Sequence, residues 1–440
     1  MTVNVKGYVA YGANCGDHVL GSEIKDAGAA VTAGVVRLSR NQSHRWAPRG
    51  PNGSDSLALP AGYTKPAGVV MFRIKRESVA PAATVNKVRS YRSQTVNPGI
   101  TSGYAIVETT ARKWRFTVAG TAIPGEYDPG DDNMHHVMIW VTKVHGATYA
   151  DGWLPSDTLW VTILVDKAVW FNEAITAADG SSIQNFGIEG TIPLFGDSVT
   201  DANGSTFDVD DVFTCYSDRA NPIGKVTVDS WRFTLGQAPP AGFDQSVKST
   251  GSDAAALVDE RPPAGSGTTD ADYYQLIDDG THLKQQSRLD TAPILAAGDV
   301  PYMVQVRIWD RQVTSSKTSG IDAEMHDGTN ARRNGGNVLI NGPSSYAENL
   351  QAGEGGTDGG ASQSARFNVA PDGNPWSGKD NTYLSGCYAG CRMNGLTANA
   401  SILVDAIVCE IAIVKNGDAI AALPDPGVIA TTQRQRVRIV

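Results

Sequence analysis

The sequence contains little glutamate and few charged residues of any kind. Charged residues make up 19% of the 440-residue chain, and only 11 of its 46 acidic residues are Glu, whereas Gly occurs 47 times. Glu and Lys favour helices, while Asp, Gly, Asn, Ser and Thr favour turns and strand edges. This shortage argues against a helical protein and predicts mostly β structure with long loops.

Cysteine is also scarce, and its five positions do not form a disulfide framework. Cys387 and Cys391 are spaced as C-x3-C, which suits one disulfide bridge or half a metal site. A zinc site needs about four ligands, and no second pair stands near this one. We expect free, buried thiols, because cysteine packs as a small hydrophobic residue. Whether Cys387 and Cys391 are bridged stays open.

Basic charge and long apolar runs are lacking as well. The chain has 37 Lys and Arg against 46 acidic residues, a net charge of −9 with His neutral, which argues against a general nucleic-acid binder. No run approaches the roughly 18 apolar residues of a membrane span, and the first residues contain no apolar signal-peptide region. The sequence predicts a protein synthesised in the cytoplasm that binds neither nucleic acid nor membrane.

Two series of short words occur in the same order in the two halves of the chain. Each begins with an Arg-Ile pair and continues with a Thr-x-Ala-Arg-basic word, a Cys-Tyr pair and a Val-Asp pair. The first series is Arg73-Ile74, residues 109–113, Cys215-Tyr216 and Val228-Asp229, and the second is Arg307-Ile308, residues 329–333, Cys387-Tyr388 and Val404-Asp405. We interpret them as a tandem duplication of one domain. The alternative is chance agreement of short words.

Strand-like runs separated by turn signals extend through both halves. Several alternate apolar and polar residues, as in Trp114-Arg-Phe-Thr-Val118, the pattern of a strand with one buried face. The sequence predicts an all-β protein of two tandem antiparallel β-sandwich modules of jelly-roll type. The predicted bounds are an extended N-terminal arm at 1–57, module 1 at 58–240, a Pro/Gly-rich linker at 241–270, module 2 at 271–415 and a C-terminal tail at 416–440.

The tail ends in an alternating pattern. Arg434, Arg436 and Arg438 fall on one face of a strand, and Val437 and Ile439 fall on the other. A free alternating segment beyond a β domain is suited to adding a strand to a neighbouring subunit. These residues predict an assembly tail and a homo-oligomer, with a disordered terminus as the alternative.

Two clusters of aspartate are the candidate ion sites. Calcium takes about six to eight oxygen ligands, which loop Asp and Asn side chains and backbone carbonyls supply. The clusters predict structural calcium, with ordinary turn acids as the alternative, and no other cofactor is expected. His135 and His136 are adjacent in a predicted strand and point to opposite faces, so they do not ligate one metal. The aspartates are Asp128, Asp131 and Asp132, and Asp208, Asp210 and Asp211.

Strands in both halves resemble a known sandwich family. Residues 135–140 (HHVMIW) and 159–166 (LWVTILVD) are similar to the middle strands of concanavalin-like (laminin-G-type) domains, although this chain has Lys167 where the family has Gly. Residues 226–235 and 402–411 resemble the last strand of that family. Tandem modules of this kind are similar to structural proteins of tailed-phage particles, which implies a location in the virion.

Candidates for sugar binding and catalysis are few. Trp153 and Trp376 each stand next to Gly or Pro, and we expect them either to stack on sugar rings or to fill a core or a subunit interface. Glucanases of the resembled fold carry paired carboxylates on one face of a strand. Asp322 and Glu324 come nearest to that pattern, and we interpret them as positions on a solvated strand.

Three hypotheses about function follow. The first is a non-enzymatic virion structural protein, in capsid decoration or in a tail or fibre, that assembles with copies of itself and other virion proteins. The second is a carbohydrate-binding protein or host-receptor adhesin that recognises host surface glycans. The third is a glycan hydrolase or lyase of the same fold. Glycan binding separates the first two, and sugar release that is lost on substitution of Asp322 or Glu324 would support the third.

Overall fold

The computed structural model describes the chain in segments. They are residues 6–11, 29–32, 35–39, 44–45, 66–92, 103–145, 148–150, 152–182, 191–195, 206–258, 272–292, 294–313, 320–333, 347–349, 365–394 and 400–423. Almost all regular structure within them is antiparallel β-strand, so the predicted all-β sandwich fold is confirmed. No helix within these segments has the length and apolar character that crossing a membrane requires.

The first sandwich is built from two main sheets. The large sheet has the order β14-β13-β10-β5-β17-β3-β2, with β1 beside β17 and β11 beside β10. The small sheet has the order β4-β16-β6-β7-β8-β9, and β12 pairs with β15. The strands are β1 (Lys6–Tyr11), β2 (Ala29–Thr32), β3 (Val35–Ser39), β4 (His44–Arg45), β5 (Pro66–Ile74), β6 (Val85–Arg92), β7 (Tyr104–Glu108), β8 (Trp114–Val118), β9 (Thr121–Ala122), β10 (His135–His145), β11 (Thr148–Ala150), β12 (Gly152–Trp153), β13 (Thr158–Val165), β14 (Ala168–Thr176), β15 (Ser181–Ser182), β16 (Thr191–Phe195) and β17 (Thr206–Asp218).

Alternation along the strands gives the first sandwich its core. In β7 and β8 the side chains of Tyr104, Ile106, Trp114 and Phe116 are buried, and the residues between them are half-exposed or exposed. The buried side chains pack against β10 and β13 of the large sheet. Burial of each such side chain contributes about 1.5–3 kcal/mol relative to exposure, so the alternation fixes which face of the sheet turns inward.

The second sandwich has the same two-sheet construction. Its large sheet has the order β19-β20-β28-β22-β25, with β18 beside β28 and β26 beside β22, and its small sheet has the order β21-β27-β23-β24. One helical turn, α1 (Asn381–Leu384), begins at Asp380, whose side chain accepts the Tyr383 N–H. The strands are β18 (Val226–Ser230), β19 (Val247–Lys248), β20 (Tyr274–Ile277), β21 (Lys284–Arg288), β22 (Val300–Gln312), β23 (Gly320–His326), β24 (Ala331–Arg333), β25 (Ala347–Asn349), β26 (Ala365–Phe367), β27 (Tyr388–Asn394) and β28 (Ser401–Val414).

The order of strand pairing is shared by the two sandwiches, which supports a duplication. In each, the last strand (β17 or β28) pairs with a long strand (β5 or β22), and the strand before it (β16 or β27) lies in the small sheet. That strand has equivalent neighbours, β4 and β6 in one sandwich and β21 and β23 in the other. The strands β6 and β7 therefore correspond to β23 and β24.

The repeated sequence words do not mark equivalent positions. The Arg-Ile pairs do fall on equivalent strands, β5 and β22, but Tyr216 lies in a large sheet, in β17, and Tyr388 lies in a small sheet, in β27. The two Val-Asp pairs lie in β18 and β28, which pair with each other in one sheet. The alignment of the words is therefore wrong, although the connectivity repeats.

Three predicted segments belong to other parts of the fold than expected. Val226–Ser230, expected to lie in module 1, pairs with β28 in the second large sheet. Within the predicted linker, residues 254–258 contribute Ala254, Leu257 and Val258 to the second core. The predicted N-terminal arm contributes β1 to β4 to the sheets of the first sandwich. Pairing between segments distant in sequence decides these memberships, and local composition does not report it.

An apolar cluster joins the two sandwiches. Trp140, on the outer face of the first large sheet, belongs to the same buried cluster as Val228 of β18 and Met303 of β22. Where β17 bulges, the buried carboxylate of Asp211 accepts the Val228 N–H at 3.0 Å and pairs with Arg73 at 3.3 Å. The sandwiches are therefore held together by buried contacts as well as by the chain between them.

Candidate functional site

One face of the second small sheet is polar. Side chains alternate between the two faces of a strand, and in β23 and β27 the residues Ile321, Ala323, Met325, Ala389 and Cys391 lie in the second core. The residues between them therefore lie on the opposite face, together with alternate residues of β21. By register they form three rows, which we call the polar face: Lys284, Arg392 and Asp322; Gln286, Gly390 and Glu324; Arg288, Tyr388 and His326.

The middle row is a floor of buried polar groups. Gln286 is 0% exposed and Glu324 is 2% exposed, and Gly390 lies between them without a side chain. Nε2 and Oε1 of Gln286 and Oε2 of Glu324 have no partner at hydrogen-bond geometry within the described segments, although the Gln286 amide lies near enough to Glu324 to lower the pKa of its carboxyl group. A buried polar group without a partner costs about 1–3 kcal/mol. This floor is therefore suited to a ligand that supplies hydrogen bonds.

Gly390 is required by the close approach of β21 to β27. A Cβ atom at this position would lie 2.0 Å from the carbonyl oxygen of Gln285 and 2.7 Å from the Cα atom of Gln286. Both distances are far below van der Waals contact with backbone atoms, so any larger residue would push the strands apart. The glycine also leaves the floor between Gln286 and Glu324 free of a side chain.

Cationic side chains surround Glu324. Burial raises the pKa of its carboxyl group, while Arg392, Lys284, Arg333 and the Gln286 amide oppose that rise. Arg333, on the neighbouring strand β24, is exposed, and Lys284 and Arg392 are half-exposed. The side chains of these three cations have no hydrogen bond or ion pair to another residue of the described chain.

His326 presents a neutral imidazole at one end of the face. Its Nδ1 accepts the Gly328 N–H at 2.7 Å, which leaves the ring proton on Nε2. Burial lowers the pKa of the ring, and Lys284 acts in the same direction while Asp327 opposes it. At neutral pH the ring is therefore uncharged and can donate one hydrogen bond from Nε2.

Aromatic rings border the same end of the face. The ring centroid of His326 lies 4.8 Å from that of Phe243 and 6.2 Å from that of Tyr388, and Nζ of Lys284 lies 3.7 Å from the Phe243 ring centroid. The carbonyl of Phe243 accepts the Gln286 N–H at 3.1 Å, which fixes its segment along the edge of β21. Half-exposed rings beside polar donors are typical elements of a small-ligand site.

A cavity of about 240 Å³ opens at the edge of β21. It is lined by Gln285, Gln286 and Ser287 of the strand and by the loop around Gly236 and Asp253. The Asp253 carboxylate holds this loop, because it accepts the backbone N–H of Gly236 and, at 3.0 Å, that of Ala255. The cavity thus adds a second polar recess next to the floor of the polar face.

Trp153 and Trp376 lie in the two cores and not on the surface. Trp153 is 2% exposed and its Nε1 donates to the carbonyl of Asp179 at 2.9 Å, while Trp376 is 0% exposed and its Nε1 donates to the carbonyl of Phe367 at 2.6 Å. Of the two predicted roles, core packing agrees with the structure. Stacking on a sugar at the surface does not, since both faces of each ring are covered.

The predicted calcium ligands serve other partners. Asp128 and Asp131 each accept the backbone N–H two residues further on, at 3.0 and 2.8 Å, and Asp132 pairs with Arg76 at 3.1 Å. Within the described segments no group of three or more His, Cys, Asp or Glu side chains could hold a metal ion. The first cluster thus has the hydrogen bonds of ordinary turn acids. Of the second cluster, Asp211 binds Arg73 and the Val228 N–H, and the side chains of Asp208 and Asp210 lie outside the described part.

His135 and His136 have opposite surroundings. Nδ1 and Nε2 of His135 lie 2.7 Å from Asp166 and 3.1 Å from Asp131, and the hydrogen bond with Asp166 raises the pKa of the ring although burial opposes it. His136 is buried, and burial lowers its pKa to about 3. His135 therefore links two turns electrostatically, whereas His136 is an uncharged core residue.

The structure also bears on the predicted cysteines and on the carboxylate pair of β23. Cys387 and Cys391 are free buried thiols, as expected. Asp322 and Glu324 share a face of β23, but they are buried and not solvated. The assembly-tail residues lie outside the described residues, and they are Arg434, Arg436, Val437, Arg438 and Ile439.

Comparisons with known proteins give remote structural likenesses only. No protein-family model matches the sequence, and no curated protein matches it either. A Trypanosoma rangeli sialidase mutant displaying trans-sialidase activity is similar over 49% of this chain and 31% of its own, with a TM-score of 0.30 and 13% identity. The binding domain of botulinum neurotoxin serotype D is similar over 64% of this chain and 67% of its own (0.28, 10%). Arcelin-5, a lectin-like defense protein from Phaseolus vulgaris, is similar over 49% of this chain and 98% of its own (0.27, 9%). The chain thus spans less than a third of the matched sialidase, and likenesses this remote carry no argument about function.

Sequence reasoning missed most of the polar face. It identified Asp322 and Glu324 but not Gln286, His326 or Arg392, because these residues come from strands far apart in the chain. A signal was present in each strand: polar residues at every second position, as in Lys284-Gln-Gln-Ser-Arg288 and Tyr388-Ala-Gly-Cys-Arg392. Strands of this kind become a candidate site only when their pairing is known.

Proposed function

We propose that this protein binds carbohydrate through the polar face of its second sandwich and does not cleave it. The observation that carries the proposal is the floor of the polar face, where buried polar atoms of Gln286 and Glu324 lack partners on either side of Gly390. A sugar offers several hydroxyl groups, each of which donates and accepts. Such a ligand satisfies the amide and the carboxylate together.

The border of the polar face supports the same proposal. Phe243 and Tyr388 are half-exposed rings that offer apolar area to the C–H faces of a sugar. His326 offers one Nε2–H donor, and the rim cations offer several more. Apolar rings that orient a ligand beside a few fixed polar groups are the composition of a small-ligand site.

A glycan array tests this proposal with the full chain and two variants. The wild-type protein is expected to bind a subset of glycans, and the double variant Gln286→Ala/Glu324→Gln is expected to bind the same glycans at least about tenfold more weakly. Arg115→Gln is the matched control, since Arg115 is exposed on the small sheet of the first sandwich and its loss is expected to change nothing. A wild-type protein that binds no glycan, or a double variant that binds as well as the wild type, overturns the proposal.

The same preparations decide between binding and cleavage. Sugar release from a polysaccharide panel is expected to be absent for wild type. Release that disappears in Asp322→Asn or Glu324→Gln would instead make the protein a glycan hydrolase or lyase, because both carboxylates lie on the face that holds the ligand.

A second candidate is a structural subunit of a tailed-phage virion, in capsid decoration or in the tail or fibre. The apolar cluster that joins the two sandwiches supports it, since a structural subunit requires a fixed arrangement of its domains. Light scattering on the full chain and on a chain lacking residues 428–440 tests it. A trimer or higher oligomer that dissociates on deletion supports assembly through the tail, and a monomer unaffected by deletion contradicts it.

A further inference from the structure

The polar face carries an excess of positive charge in an acidic protein. With His326 neutral, Lys284, Arg288 and Arg392 stand against Asp322 and Glu324 within the three rows, and Arg333 lies next to Glu324 on β24. The chain as a whole carries a net charge of −9. The face is therefore a local cationic surface that opposes the charge of the rest of the molecule.

Three of these cations have side chains without an ion pair to another residue of the described segments. The side chains of Lys284, Arg333 and Arg392 have neither hydrogen bonds nor ion pairs to other described residues, although Nζ of Lys284 lies over the Phe243 ring. Arg288 uses one N–H group for the carbonyl of Ser385 at 3.0 Å. An arginine presents two parallel N–H groups that match the two oxygens of a carboxylate. Cations of this kind around a hydrogen-bonding floor indicate a ligand that carries both hydroxyl and carboxylate groups.

We infer that the glycan bound by the polar face is acidic, with carboxylates that pair with Arg392, Lys284 and Arg333 while its hydroxyl groups bond to Gln286 and Glu324. This inference rests on the proposed carbohydrate-binding function and names the substrate class of that site. The buried carboxylate of Glu324 lies in the middle row, so it selects against a second negative charge directly above it. The ligand carboxylates therefore sit over the outer rows and the β24 side.

The test compares acidic polysaccharides with their own carboxyl-reduced forms. Polygalacturonate, alginate and hyaluronate are each titrated into the full chain by calorimetry, beside the same polymer with its carboxylates reduced to alcohols. For at least one pair we expect about tenfold or stronger preference for the acid form at low salt, which declines as ionic strength rises. Arg392→Gln and, separately, Arg333→Gln are expected to reduce that preference, and Arg115→Gln is expected to leave it unchanged.

The outcomes separate this inference from the proposed function. A reduced polymer or a neutral array glycan that binds as tightly as every acid form overturns the inference and leaves carbohydrate binding standing. Dextran sulfate that binds as tightly as the carboxylated polymers also overturns it, because the face would then be a general polyanion surface. No binding to any polymer together with a silent glycan array overturns both. Arg333 lies at an exposed edge, so its variant gives a result even if Arg392→Gln fails to fold.

Discussion

The small sheets of the two sandwiches share their strand connectivity, but the outer faces of their described strands carry different residues. In the first sandwich, the outer face of β7 and β8 carries Ala105, Val107, Arg115 and Thr117, which are half-exposed or exposed, and Arg115 is paired with Glu126 at 2.5 Å. In the second, the outer face of the small sheet carries the polar face with its buried floor. The polar face therefore depends on the residues at alternate positions of β21, β23 and β27, and a two-sheet sandwich alone does not provide it.

The buried charged side chains of the two sandwiches also differ in their partners. In the first, Lys87 lies 3.2 Å from Glu77 and 3.0 Å from Glu108, all fully buried, and Trp114 Nε1 donates to Glu108 at 3.3 Å. In the second, Glu324 is buried without an ion pair to any described residue. The first arrangement pairs the buried charges with one another, whereas the second leaves polar atoms of Glu324 and Gln286 without partners among the described residues.

The largest expected effect is the loss of the buried cation in the first sandwich. Lys87→Met leaves two carboxylates buried without their partner, so we expect the free energy of unfolding to fall by about 3–5 kcal/mol. Lys113→Met is the control, because Lys113 is 41% exposed and 3.8 Å from Asp128, and an exposed pair contributes less than about 1 kcal/mol. Urea denaturation measures both, and equal effects for the two variants would contradict the contrast.

Next in size is the glycine in the floor of the polar face. Gly390→Ala places a Cβ against backbone atoms of β21, and overpacking of this kind costs about 1–3 kcal/mol. We also expect this variant to lose glycan binding. Gly378→Ala is the matched control, since a Cβ there meets no atom within 4 Å. If Gly378→Ala destabilises the protein as much as Gly390→Ala does, the steric clash with β21 is not the cause of the loss.

A smaller and opposite effect is expected at Glu324. Burial raises the folded pKa of its carboxyl group above that of an unfolded glutamate, so the native state holds the proton more tightly than the unfolded chain. Wild-type stability therefore falls as pH rises from the unfolded pKa through the folded pKa. Glu324→Gln does not titrate, so we expect its stability relative to wild type to be higher at pH 8 than at pH 4. Denaturation at both pH values measures this, and a variant that loses stability relative to wild type between pH 4 and pH 8 contradicts the assignment.

The smallest expected effect concerns His135 in the first sandwich. Its folded pKa is raised, chiefly by the hydrogen bond with Asp166, so its contribution to stability is complete below the unfolded pKa of about 6.5 and is lost as pH rises through the folded pKa. His135→Gln is therefore expected to lower the melting temperature more at pH 6 than at pH 9, by the equivalent of less than about 1 kcal/mol. An equal loss at both pH values would mean that the ring contributes by packing alone.

The fold could be predicted because strand alternation is local. Ile106 and Phe116 each lie in a five-residue run whose alternation predicts a buried face. The scarcity of helix-forming residues argues against a helical fold, which is the main alternative. The boundaries could not be predicted, because Val226–Ser230 joins β28 by pairing across 186 residues. The composition of the two segments does not indicate that they pair.

The candidate site was predicted only in part for the same reason. Asp322 and Glu324 lie in one strand, so their common face follows from spacing. Gln286 and Arg392 reach that face only through the pairing of β21 and β23 with β27. Spacing alone left two roles open for Trp153, and the structure places its ring in the core with a bond to the carbonyl of Asp179.

The central claim, that the polar face and not the small sheet of the first sandwich binds the ligand, is tested most directly by hydrogen–deuterium exchange of the full chain with and without an acidic polysaccharide. The account predicts slower exchange in β21, β23 and β27, and no change in β6, β7 and β8. Protection of the first small sheet, or no protection anywhere at a saturating polysaccharide concentration, would contradict it.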